Sequence, residues 1–302
     1  MAEDDPHRYR SPDEDSGRWL DFPFRKGDIV ISTRSKSGTT WMQMICALLV
    51  FSTPELPAPL GWMSPWLDWL VAPQDEVYDR LAAQGHRRFI KTHTPLDGLP
   101  LDPRATFIVV GRHPLDMAVS LYHQSANLNR ERIRQLTGQP EPSTPATPPL
   151  PLHEWLLTWI DWEGEPKDKL DTLLGVMWHM ADAWTRRHES NVLLVHYEDL
   201  SADLEGEMRR IAAFLAIDVP ESRWPSLVEA ATFAHMKERA SQVAPDANGV
   251  LRDMNAFFRQ GKSGAGLAEL DEDELDHYWV RTSRMAPPDL LAWLHRVEER
   301  TG

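Results

Sequence analysis

Along the chain, short β-branched runs alternate with longer stretches of helical apolar spacing. Asp28–Ser32, "DIVIS", is a compact apolar run that reads as a buried strand. The turn Ser35–Thr40 follows it. Thr40–Phe51 then predicts a helix, stopped by Pro54. Further strands are predicted at Arg88–Lys91, "RFIK", and at Thr106–Gly111, "TFIVVG". The third strand runs into "RHPLDMAVSLYHQ", a turn and then a helix from about Pro114, with proline at the first helical position. Trp155–Trp162 and Leu173–His188 read as helices. Asn191–His196, "NVLLVH", reads as a fourth buried strand, followed by "YEDL" and a helix to about Ala216. Strands alternating with helices predict an α/β fold with a mainly parallel sheet.

Two stretches fall outside that pattern. Residues 1–17 are polar and acidic and predict a disordered or loosely packed tail, so the domain proper is read as 18–302. Residues 138–152, "GQPEPSTPATPPLPL", are proline-rich and predict an exposed loop or insert. The tail from Gly261 is glycine-rich, then helical. No internal repeat is visible.

Composition changes the picture in three places. The 302 residues carry a formal net charge of −14, which disfavours nucleic acid and anionic lipid as partners. Basic residues gathered at strand ends stand out against that background. The single cysteine, Cys46, sits in "MICALLVF" as a small hydrophobe, so no intramolecular disulfide forms and a reducing compartment is expected. The first residues lack a basic region followed by an apolar one, and no apolar run reaches about 18 residues. A cytoplasmic protein without a membrane span is the expectation. No His/Cys/Asp cluster has metal-ligand spacing, so no metal is expected.

The candidate chemistry begins at "GDIVISTRSKSGTTWMQ", Gly27–Gln43. A helix N-terminus offers unpaired N–H groups and a partial positive charge. Gly38 permits close approach of a ligand, Thr39 and Thr40 add hydroxyls, and Lys36 adds a mobile charge. This is a cradle for phosphate or sulfate. It is not the nucleotide-binding pattern G-x-x-x-x-G-K-[ST], because the lysine precedes Gly38 by two residues and Thr39 follows it.

The segment "KSGTTW", Lys36–Trp41, resembles the 5′-phosphosulfate loop of the cytosolic-type sulfotransferases, in a bacterial-like form. These enzymes use 3′-phosphoadenosine 5′-phosphosulfate (PAPS) as sulfuryl donor. Further motifs resemble the family's in order. "KTHTPLDGLP" supplies His93 as the implied general base, with Lys91 beside it to lower charge on the transferred group. "GRHPLDMAVSLYH" resembles the 3′-phosphate motif, with Arg112 and Ser120 eight residues apart; Asp116 is read as bracing that helix. "LLVHYEDL" places Tyr197 toward the adenine. "TFAHMK" places Phe233 on one face of the base, with Trp41 on the other. "FFRQGKSGAG", Phe257–Gly266, resembles the covering loop "RKGxxGDWK": Arg259 and Gly261 match, Gln260 replaces the lysine, and Gly266 and Leu267 stand where that loop has tryptophan and lysine.

The resemblance implies one α/β domain with a central parallel sheet flanked by helices and a P-loop-like phosphosulfate-binding loop. It implies donor contacts from Lys36, Ser37, Gly38, Thr39, Thr40, Trp41, Arg112, Ser120, Tyr197, Phe233, Arg259, Gln260 and Gly261. It implies catalysis by His93, Lys36, Lys91 and Ser120, with residues 257–267 covering the nucleotide. The acceptor would be a hydroxyl of an apolar small molecule or lipid: a phenol, sterol, lipid or glycolipid. Trp62, Trp66 and Trp69, with Trp155, Trp159 and Trp162, have helical spacing and either line that side or pack a core. The dimerisation pattern K-x-x-x-T-V-x-x-x-E is absent, so no oligomeric state is assigned. A kinase of related fold and a non-catalytic nucleotide-binding protein are the competing readings. The first needs magnesium and a lysine after Gly38; the second does not need His93.

Overall fold

The computed structural model describes residues 5–143, 148–246, 248–259 and 263–296. Four strands form its sheet: β1 (Ile29–Ser32), β2 (Phe89–Thr92), β3 (Thr106–Gly111) and β4 (Val192–His196). Their order is β2-β1-β3-β4 and every pairing is parallel. Alternate side chains go to opposite faces. Ile29, Ile31, Ile108 and Val110 enter one apolar core, and Val30, Phe107 and Val109 enter the other. A strand buried on both faces has no polar side to show, which is why these segments read as continuous apolar runs.

The first core is closed by α1 (Thr39–Phe51) and by the helix Leu204–Phe214. The second is closed by α2 (Pro114–Asn127), α4 (Leu152–Asp161), α5 (Leu173–Thr185) and the C-terminal helices Glu272–Thr282 and Pro288–His295. A short helix, α3 (Arg130–Thr137), follows α2 and ends at Gly138 in the left-handed region (φ 68°). The connection after β1 leads toward β2 on one side, while that after β3 leads toward β4 on the other. The crevice at the carboxyl ends of β1 and β3 is therefore a topological switch point, where ligands bind in open α/β sheets.

The expectation of a loose tail over residues 1–17 is corrected over the described part. Tyr9 is buried, its hydroxyl donates to Asp97 (2.7 Å), and it accepts from Trp178 Nε1 (2.9 Å). Asp15 N–H bonds the Asp68 carbonyl (2.9 Å), and Leu70 N–H bonds that of Asp13 (2.8 Å). These partners lie far away in sequence, so local composition does not reveal them. The helix expected to run to Ala216 divides into Tyr197–Ala202 and Leu204–Phe214, because Asp203 caps the second by accepting from Gly206 N–H. The helices Gln74–Ala83 and Arg130–Thr137 were not expected.

The N-terminal edges of β1 and β2 are tied by an ion pair. Arg88 Nε donates to Asp28 Oδ1 (2.8 Å), a second bond joins Nη2 to Oδ2, and Nη2 also reaches the Pro23 carbonyl (2.9 Å). Both side chains are almost fully buried, at 1 % and 2 % exposure. Removing one member strands the other charge. Asp28→Ala is expected to lower the unfolding free energy by about 3–5 kcal/mol. Urea unfolding of the two proteins measures it; a loss below about 1 kcal/mol, the range of an exposed pair, contradicts the account.

Candidate active site

The turn after β1 takes positive φ at Lys36 (68°) and at Gly38 (105°). A Cβ at Gly38 would stand 3.0 Å from the Tyr197 ring, so this position requires glycine on conformational and steric grounds. Gly38 is also the residue that starts α1, and it has no side chain to cap the helix. The first-turn N–H groups are thereby left for a ligand. Ser35, Lys36, Gly38, Thr39, Thr40 and Trp41 line one cleft of about 270 Å³. Ser37 does not line it. Its side chain is buried, and its N–H bonds the Arg34 carbonyl (3.2 Å), which shapes the loop. The Thr39 hydroxyl pairs with that of Thr33.

Lys36 Nζ lies 4.0 Å from the centre of the Phe257 ring and 3.5 Å from Gln124 Oε1. It has no carboxylate partner among the described residues. Burial lowers its pKa to about 7, helped by the charges of Arg112, Lys91 and Arg259. A shift of this size represents on the order of a few kcal/mol against the charged form, and an arriving anion reverses it.

β2 delivers Lys91 and His93 to the same cleft. The His93 ring Nδ1 bonds the Thr33 carbonyl, so Nδ1 carries the proton and Nε2 keeps its lone pair. Nε2 makes no hydrogen bond among the described residues. Burial, reinforced by Lys91 and Arg34, holds the His93 pKa well below its ordinary value. The imidazole is neutral at physiological pH, the form a general base needs. Its edge meets the Trp66 ring at 4.4 Å. Lys91 Nζ sits 4.1 Å over the same ring, and burial brings its pKa down to about 8. Trp66 and Trp69 are stacked at 4.6 Å and line the cleft. They are not helical: Pro65 precedes them, and Trp66 pairs with Lys91 in a parallel bridge. Trp159 packs into the second core with Trp155 against it, and Trp62 is half exposed. The tryptophans with helical spacing thus divide into a wall of the cleft and a core.

The opposite end of the cleft gathers Arg112, Ser120, Tyr197, Phe233 and Arg259. Arg112 Nη1 donates to the Lys36 carbonyl (3.0 Å), and its guanidinium lies 4.3 Å from the Tyr197 ring centre. Trp41 meets Tyr197 edge-on at 5.2 Å and donates Nε1–H to the Ala231 carbonyl (2.8 Å). Gln260 and Gly261 lie outside the described residues. The loop beyond them is fixed in a way the sequence did not announce. Both oxygens of the buried Asp116 accept backbone N–H bonds, from Gly264 (2.8 Å) and Gly266 (2.9 Å). Asp116 thus ties the covering loop to the start of α2 as well as bracing the helix. A Cβ at Gly266 would fall 2.4 Å from the Leu115 carbonyl carbon, so this close approach excludes the tryptophan that the family loop carries there.

Sequence reasoning missed charged residues in and beside the cleft. Arg34 is buried behind it, donates to the His93 carbonyl and bonds Asp171 (2.5 Å). It thereby fixes the backbone that carries His93. Asp171 and Glu14 line the cleft, with Asp13 and Arg130. Arg34 adjoins the recognised loop, which was a usable signal. Glu14 and Asp171 sit in stretches with no motif.

The comparisons agree with this geometry. The family model described as "Sulfotransferase domain" matches residues 26–278. A glycolipid sulfotransferase of Mycobacterium bovis is 43 % identical, over 97 % of this chain and 95 % of that protein. Sulfotransferase 2B1 of Mus musculus is 29 % identical, over 91 % of this chain and 73 % of that one. In fold, the chain is similar to retinol dehydratase in a complex with retinol and PAP (TM-score 0.67, 23 % identity, 89 % of this chain and 84 % of that). It is similar also to mouse sulfotransferase SULT7A1 complexed with PAP (TM-score 0.67, 22 % identity, 93 % of each chain). With an anion loop at the switch point, a neutral histidine beside it and a match over most of its length, this chain belongs to the sulfotransferase family.

Proposed function

We propose that this chain transfers a sulfuryl group from PAPS to a hydroxyl of a lipid or small apolar molecule, with His93 as general base. The observation that carries the reading is the cleft shared by a neutral His93 and by Lys36, with His93 Nε2 free of hydrogen bonds and Lys36 free of carboxylate partners among the described residues. In an in-line displacement the acceptor oxygen forms a bond to sulfur and its proton passes to His93 Nε2. The bond from sulfur to the 5′-phosphate oxygen breaks, and Lys36 stabilises the charge left there. The first-turn N–H groups of α1, with Thr39 and Thr40, hold the 5′-phosphate. Arg112, Ser120 and Arg259 hold the 3′-phosphate, and Trp41, Tyr197 and Phe233 surround the base. Lys91 lowers the charge on the transferred group. The 43 % identical relative named a glycolipid sulfotransferase supports a lipid-linked acceptor. A buried free Cys46 accords with a cytoplasmic setting.

Two measurements test this. In EDTA, 3′-phosphoadenosine 5′-phosphate (PAP) should raise the melting temperature more than AMP, ADP or ATP does. His93→Ala should keep that rise while losing about 10²–10⁴-fold in transfer rate. A His93→Ala protein that transfers normally removes the general-base assignment. A protein stabilised only by ATP with magnesium favours the kinase.

The pH profile of kcat/KM for PAPS gives a separate check, since it reports groups of the free enzyme. His93 has a lowered pKa, so it stays in its active neutral form down to pH 6 and produces no acid limb there. Lys36 must be charged and titrates at about 7, so kcat/KM falls as pH rises above 7. Lys91, at about 8, steepens the fall. Lys36→Arg, charged throughout, should flatten the profile between pH 7 and 8; an unchanged profile contradicts the assignment.

A further inference from the structure

The acceptor side of the cleft holds a carboxyl group for which sulfuryl transfer has no use. Glu14 is brought there by backbone pairing. It forms an antiparallel bridge with Trp69, flanked by the Asp15–Asp68 and Leu70–Asp13 hydrogen bonds. Three carboxylates line this rim, and two are engaged. Asp13 accepts from Arg130 (3.1 Å) and Gln139 (2.8 Å), and Asp171 accepts from Arg34 (2.5 Å). Glu14 is half-buried, and its carboxyl group makes no hydrogen bond or ion pair among the described residues. Burial pushes its pKa up to about 8. Asp68 and Asp171 add to the rise, against the pull of Arg34 and Lys91. At neutral pH it is then largely protonated, able to donate to a hydroxyl and accept from one.

A half-buried polar group without a partner is costly, and a ligand with matching groups removes the cost. The reacting hydroxyl is taken by His93, so Glu14 calls for a second hydroxyl on the same acceptor. The adjoining wall holds the stacked Trp66 and Trp69; Lys91 lies over the Trp66 ring, so Trp69 is the ring that offers apolar surface to the C–H face of a saturated ring bearing hydroxyls at its edge. We propose that Glu14, Trp66 and Trp69 form a subsite for a polyhydroxylated ring. In it Glu14 bonds a hydroxyl near the one that receives the sulfuryl group. The subsite rests on the transferase reading given above. It adds that the acceptor presents a sugar-like ring to the catalytic base and leaves its apolar part outside this subsite.

The test compares octyl β-glucoside with 1-octanol, both below micelle-forming concentrations, as acceptors for the full chain with PAPS. Glu14→Ala should lower kcat/KM for the glucoside about tenfold relative to that for octanol, near the upper range for one hydrogen bond. Glu14→Gln, which can still donate and accept, should recover most of that ratio. Quenching of tryptophan fluorescence by the glucoside in the presence of PAP reads binding without transfer, and it should weaken in Glu14→Ala. PAP-induced stabilisation shows that the variant is folded; if it is not, Trp69→Ala carries the same expectation. An unchanged glucoside-to-octanol ratio with active enzyme overturns the subsite and leaves the transferase reading intact. Saturable quenching that depends on Glu14, without any transfer, keeps the subsite and overturns the transferase reading. Neither quenching nor transfer overturns both.

Discussion

The cleft depends on keeping several cations close together. Lys36, Lys91, Arg112 and Arg259 face one cavity in a protein whose net charge is −14. Neither lysine has a carboxylate within ion-pair distance among the described residues. Aromatic faces stand against three of the four cations: Phe257 at Lys36, Trp66 at Lys91 and Tyr197 at Arg112. Such contacts contribute roughly 0.5–2 kcal/mol each and leave the charge in place. Burial lowers the pKa values of both lysines, and repulsion from Arg112, Lys91 and Arg259 adds to the fall at Lys36.

Burial sets the state of the histidine, and the same charges reinforce it. Lys91 and Arg34 oppose protonation of His93, and the Thr33 carbonyl orients the ring. Arg34 is itself neutralised by Asp171, so it can be buried beside the base and hold the backbone there. The cations that suit the site to an anion and the neutral His93 are therefore one arrangement. The parallel sheet supplies its rigidity, because β1, β2 and β3 end at one edge and deliver the loop, His93 and Arg112 side by side.

Much of the cleft was legible because its residues lie in contiguous motifs at strand ends, and the strands are apolar runs buried on both faces. Lys36, His93, Arg112, Ser120, Tyr197, Phe233 and Arg259 all meet in one cleft as their motifs imply. The part of the cleft around Glu14 and Trp66 was not legible, for a physical reason. Glu14, Trp66, Trp69 and Asp171 come from three separate segments, and each is ordinary in its own neighbourhood. Residues 5–17 owe their order to distant partners such as Asp97, Asp68 and Trp178. Trp66 and Trp69 had helical spacing, but Pro65 and pairing with Lys91 gave that stretch a different backbone. Ser37 sits inside the motif, and its side chain is buried.

The N-terminal pairing has a consequence for how such enzymes diversify. The family model begins at residue 26, whereas the strip that seats Glu14 against Trp69 lies before it. The region matched by the family model carries the anion loop and His93. The wall that Glu14 gives the cleft hangs on a terminal strip, joined to the rest by backbone bonds and by the side chains of Tyr9 and Asp13. Exchanging that strip between relatives would be an economical way for selection to change what is sulfated while leaving the donor machinery untouched.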